Sequence, residues 1–131
     1  MKRVSLLDCT LRDGGWMNDF EFGKEGIAEL QDCLDCAGIE YIEVGYLDEA
    51  KGSTEGRSMY SSFDALIKND KRNQAVYLLM VDYGKYPLEQ VPYCESVNID
   101  GIRVCFHKKD AKEAVSYGKA LSEKDAAHGV S

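Results

Sequence analysis

Charged residues stand at positions where this chain is otherwise apolar. Arg12 and Asp13 follow a strand-like run at residues 4–10 and lead into Gly14 and Gly15. Glu43 separates Ile42 from Val44, and Arg103, Cys105 and His107 alternate with Ile102, Val104 and Phe106. A carboxylate or guanidinium taken out of water without a partner is strongly unfavourable, so these groups must meet one another or a ligand. Two readings follow. Arg12, Asp13 and Glu43 are an ordinary ion-pair network, with Asp13 a turn-former ahead of Gly14, or they line a site. Arg103 is an interior partner of Glu43 or Asp8, and His107 is either ligand-facing or a hydrogen-bonded strand-end residue. Cys33 and Cys36 form a lone CxxC with no second Cys or His pair beside it. They read as plain helix residues and not as a zinc or redox motif.

The elements that must position these groups alternate along the chain. Strand-like runs are predicted at residues 4–10, 39–46, 75–81 and 101–107, the third almost wholly apolar, as in a strand buried on both faces. Between them, residues 23–37 carry Ile27, Leu30, Cys33 (or Leu34) and Ala37 at helical spacing, and Gly38 supplies the stop. Helices are also expected at 61–68 and 110–122, with a short helical stretch opening at Pro87. Successive strands start about 25 to 36 residues apart, which is the βαβ pattern of a parallel sheet. Period-two geometry puts Asp8, Thr10 and Arg12 on one face, Tyr41, Glu43 and Gly45 on another, and Arg103, Cys105 and His107 on a third. A doubly wound sheet would press those charges against helices. A barrel interior, wet at its C-terminal mouth, would accept them. A full (β/α)₈ barrel takes about 250 residues, so the expected fold is α/β, the N-terminal half of such a barrel, with residues 1–131 as one domain of four βα units.

The string LDCTLRDGG at residues 7–15, the strand IEVG at 42–45, and GIRV at 101–104 with His107 together resemble one family. It is the metal-dependent carbon–carbon lyase and aldolase superfamily that includes 3-hydroxy-3-methylglutaryl-CoA lyase and 4-hydroxy-2-oxovalerate aldolase. The resemblance implies a pyruvate carboxyltransferase-type barrel domain. It makes Asp13 a metal ligand, Arg12 the catalytic, substrate-binding arginine that stabilises an enolate oxygen, and Glu43 the glutamate that orients Arg12. His107 would bind substrate. A divalent cation (Mn or Mg) and a small 2-oxoacid or acyl-CoA substrate are implied, because cleavage β to a carbonyl leaves an enolate that cations stabilise.

Two departures qualify this. The family's His-x-His metal pair is missing, since the chain has only His107 and His128, and Trp16 stands where some members place a basic histidine. The expectation is therefore a partial domain that does not turn over substrate alone and lacks the C-terminal half of its barrel. The alternative is a non-catalytic half-barrel assembly module. Open edges bearing Leu6, Leu11, Val104 and Phe106 predict a homo-oligomer. A flavodoxin-like open sheet is disfavoured, since no Gly-rich phosphate fingerprint is present. The net charge of −7 argues against nucleic acid as a partner. No run approaches the roughly 20 apolar residues of a membrane span. Five scattered cysteines and a start at Met1-Lys2-Arg3 without a signal-peptide pattern suit the cytoplasm.

Overall fold

A computed structural model describes residues 2–66, 73–93 and 98–126. Within them the order is β1 (Leu7–Asp8), α1 (Lys24–Cys36), β2 (Tyr41–Leu47), β3 (Met59–Tyr60), β4 (Val76–Asp82), β5 (Gly101–Cys105) and α2 (Ala111–Ala126). Every pairing between these strands is parallel. The sheet runs β1-β2-β4-β5, and the short β3 pairs with β2. The four strands expected from the sequence are thus neighbours in sequence order, with none inserted out of turn as a doubly wound sheet requires.

The two helices share one side of the sheet. There Ile42, Val44, Leu47, Leu79 and Val81 form a core with Leu34 of α1 and Tyr117 and Leu121 of α2. The opposite side carries Phe20, Tyr46, Met59, Met80 and Cys105. Helices on one face and side chains filling the other make this half of a (β/α)₈ barrel.

α1 buries Ile27, Gln31 and Asp35, a stripe at i, i+4, i+8. Its end is set where Ala37 N–H reaches the Cys33 carbonyl and Gly38 turns to φ 85°, a conformation that favours glycine. Asp35 projects to the start of β4 and accepts hydrogen bonds from the backbone N–H of Asn73, Gln74 and Ala75 and from the Tyr77 hydroxyl, at 2.8 to 3.0 Å. Cys33, Cys36 and Ala37, by contrast, are exposed, so the buried stripe lies one residue away from part of the expected one.

Several expected elements are shorter. β1 stops at Asp8 because that side chain turns the chain, accepting from Thr10 N–H at 3.0 Å and Thr10 Oγ1 at 3.1 Å. Asp8, Thr10 and Arg12 therefore do not line one strand face. The helix expected at 61–68 is a single 3-10 turn, Phe63–Ala65, which ends where Leu66 becomes extended; residues 67–72 lie outside the described residues. After Pro87 the chain likewise makes one turn, Leu88–Gln90. Cys94 and His128 lie outside the described residues. Leu11, expected at an open edge, is fully buried, with its carbonyl accepting from Ser58 Oγ at 2.6 Å.

Candidate active site

Register sorts the inner face of the sheet into layers. Glu43, Leu78 and Gly101 lie abreast, followed toward the strand C-termini by Tyr46, Met80 and Arg103, and then by Asp82 and Cys105. β2 advances three residues, Glu43 to Tyr46, while β4 advances two, Leu78 to Met80. This bulge is what brings both Glu43 and Tyr46 to the interior. The expected face of Tyr41, Glu43 and Gly45 is accordingly corrected: strict alternation fails at the bulge. Gly45 sits inside it, and a Cβ there would fall 2.2 Å from the Ser58 carbonyl oxygen, so β3 could not approach any other residue. That approach fills the β2 edge which β1 vacates, through Tyr46 N–H to Ser58 O at 3.0 Å and Asp48 N–H to Tyr60 O at 2.9 Å.

Glu43 is 0% exposed and is shared by two arginines. Arg12 Nε donates to Oε1 at 2.6 Å; Arg103 Nε donates to Oε2 at 2.6 Å and its Nη2 to Oε1 at 3.0 Å. Burial pushes the Glu43 carboxyl up, but the hydrogen bonds from Arg103 and Arg12 outweigh it and hold the group below the usual glutamate range. Glu43 in turn raises the Arg103 guanidinium. Arg12 reaches the cluster from a tight turn in which the backbone N–H groups of Arg12 and Asp13 converge on the Cys9 carbonyl at 3.2 and 2.7 Å. Nη1 of Arg12 also donates to Asp13 Oδ1 at 3.2 Å. Among the described residues, two of its five N–H donors are engaged. The others remain for a ligand oxygen.

No family model and no solved structure matches the chain. Curated relatives do. The 4-hydroxy-2-oxovalerate aldolase of Moorella thermoacetica is 42% identical over 53 residues, 40% of this chain and 16% of that protein. The enzyme of the same name from Geobacillus genomosp. 3 is 31% identical over 97 residues (70% and 29%), and that of Bacillus thuringiensis 27% over 113 residues (82% and 33%). The chain belongs to the 3-hydroxy-3-methylglutaryl-CoA lyase and 4-hydroxy-2-oxovalerate aldolase superfamily. It covers only a sixth to a third of the length of these relatives and holds part of their domain.

In this aldolase–lyase segment the predicted residues divide. Arg12 and Glu43 meet, and Arg103 joins them as the interior partner the sequence suggested. Asp13 lies beside Arg12 with its side chain 65% exposed. His107 is exposed just past β5, its carbonyl accepting from Asp110 N–H. Among the described residues no hydrogen bond or ion pair links it to the arginines or Glu43. Trp16 is 66% exposed and packs edge-on against Phe20 with ring centroids 5.2 Å apart.

The donors do not fit a divalent cation: Asp13 offers one carboxylate, and no group of three or more His, Cys, Asp or Glu converges among the described residues. Among those residues, too, no helix is long and apolar enough to cross a membrane. Two residues of the site escaped the sequence reading. The Tyr46 hydroxyl donates to Asp82 Oδ2 at the C-terminal end of β4. A glycine inside an apolar strand, as at Gly45, was the available sign of a bulge.

Proposed function

We propose that this segment supplies the enolate-stabilising wall of an aldolase or lyase that breaks or forms a carbon–carbon bond in a small 2-oxoacid or acyl-CoA. The observation that carries the reading is Arg12, fixed by buried Glu43 at 2.6 Å while its remaining donors stay free. A guanidinium held in this way faces the oxygen on which charge develops without having to reorganise, which is the condition for electrostatic stabilisation. In this reading Arg12 is catalytic and substrate-binding, Glu43 holds its fork, and His107 contacts the far end of the substrate. Asp13 would be one ligand of a manganese or magnesium ion, the other ligands being supplied from outside the described residues. Bond cleavage would then need the rest of the barrel, and the setting would be the cytoplasm.

Binding of oxalate, a planar mimic of the pyruvate enolate, tests the reading. NMR titration of the full chain should move the Arg12 guanidinium signal, and Arg12→Met should weaken binding about tenfold or more, the loss of one charge-assisted pair. Equal binding by the variant would refute it.

One observation favours a second reading, an assembly module: Leu6 and Leu7 at the β1 edge and Phe106 beyond β5 are exposed. A homo-oligomer or a separately supplied barrel half would cover them. Sedimentation across micromolar concentrations separates the two, because a constant mass near 14.6 kDa excludes self-association.

A further inference from the structure

Aldol chemistry needs a proton acceptor, and Trp16 has no basic atom to serve as one. The interior of the barrel holds a different group suited to the task. Tyr46 points inward only because β2 bulges between Glu43 and Tyr46. Bulges are uncommon in parallel pairing and concentrate beside active sites, where they re-aim a side chain. Its ring lies edge-on to Phe20 and belongs to one buried cluster with Met59 and Met80, against which Cys105 packs. Two of those, Met80 and Cys105, also receive hydrogen bonds from Arg103, at 3.0 and 2.9 Å. The ring is therefore one side chain away from the arginine pair on Glu43. Its hydroxyl extends toward the strand C-termini and donates to Asp82, in the layer at the mouth. Asp82 is only partly buried, so it can exchange a proton with solvent.

We propose that Tyr46 and Asp82 form the proton-acceptor pair of this site, standing in for the absent histidine; the proposal rests on the enolate-stabilising role of Arg12. In the cleavage direction the substrate 4-hydroxyl gives its proton to Tyr46 Oη while the phenolic proton passes to Asp82 Oδ2. The C3–C4 bond breaks, C4–O becomes a carbonyl, and the electron pair becomes the enolate whose oxygen faces Arg12. One negative charge moves from Asp82 to the enolate, and nothing is oxidised or reduced. The pair's proton then goes to C3, giving the 2-oxoacid.

That last step, run in reverse, breaks no carbon–carbon bond: it needs an added oxoacid, the Arg12 guanidinium to stabilise the oxyanion and the Tyr46–Asp82 pair to accept the proton. The full chain in D₂O should therefore exchange the methyl hydrogens of pyruvate, followed by proton NMR with and without magnesium. Tyr46→Phe, which keeps the ring packing, and Asp82→Asn, which keeps a hydrogen-bond acceptor, should each slow exchange by about 100-fold, the scale of general acid–base catalysis. Both should bind oxalate like the parent chain. Exchange unchanged in either variant would overturn the pair. So would oxalate binding through Arg12 with no exchange by the parent chain, an outcome that leaves the Arg12 reading standing. Absence of oxalate binding would overturn both.

Discussion

Glu43→Gln tests the centre of the site. The substitution keeps shape and one acceptor oxygen but leaves two guanidiniums around a neutral amide. Removing one member of a buried ion pair costs about 3–5 kcal/mol. Here Arg12 and Arg103 retain 18% and 36% side-chain exposure, so solvent screening reduces the cost to about 2–4 kcal/mol. At about 2.1 cal/mol/K per residue the unfolding entropy of this chain is about 0.28 kcal/mol/K, which converts that loss into a Tm drop of about 7–14 °C. Urea and thermal unfolding followed by circular dichroism read both quantities. Arg103→Met in the same background removes the surplus cation, so the double variant should be less destabilised than the sum of the singles. The pH dependence carries a second signature. Glu43 is held below its ordinary value in the folded state, so its contribution is present above about pH 4.5 and fades as pH falls below that. The gap between parent and variant should therefore narrow in acid. A loss under about 1 kcal/mol at neutral pH, or an unchanged gap at pH 3, would refute the account of Glu43 as the shared anion of two arginines.

Asp35→Asn should cost about 2–4 kcal/mol, because an amide cannot accept all the hydrogen bonds that tie α1 to the start of β4; chemical denaturation measures it, and Tyr77→Phe should cost less, about 1 kcal/mol. Although burial raises the Asp35 carboxyl, the hydrogen bonds from Asn73, Ala75, Tyr77 and Gln74 lower it on balance. The Asp35 contribution is therefore also lost as pH falls below the ordinary aspartate range, and Asp35→Asn should blunt acid unfolding. Gly45→Ala drives a Cβ against the Ser58 carbonyl; about 1–3 kcal/mol of destabilisation is expected from overpacking, with hydrogen exchange rising first at Tyr46 and Asp48, whose N–H groups bond β3. Calorimetric titration with magnesium or manganese should show no binding tighter than about millimolar, as for a site with one carboxylate.

The sequence made the strand order and the charged centre legible for the same reason. Alternating apolar runs and helical stripes forced a parallel sheet, and Arg12, Glu43 and Arg103 inside those runs needed partners that only a shared interior supplies. What stayed hidden depends on where backbone regularity breaks. Asp8 looks like one more strand residue until its carboxylate is seen accepting from Thr10, which ends β1 and sends Arg12 into a turn. Asp35 falls on the buried side of α1, where a helical stripe predicts an apolar residue; its partners are backbone groups of residues 73–75, invisible to any pattern within the helix. Period two, applied without interruption, pairs Glu43 with Gly45, whereas the bulge pairs it with Tyr46. Of these three, the Asp8 turn lies at a strand end and the Tyr46 bulge at a glycine-marked irregularity, the places where a barrel positions side chains for chemistry. The regular positions therefore reveal the scaffold and its neutralising ion pairs. The irregular ones, Tyr46 above all, are where the groups able to move a proton have to be sought.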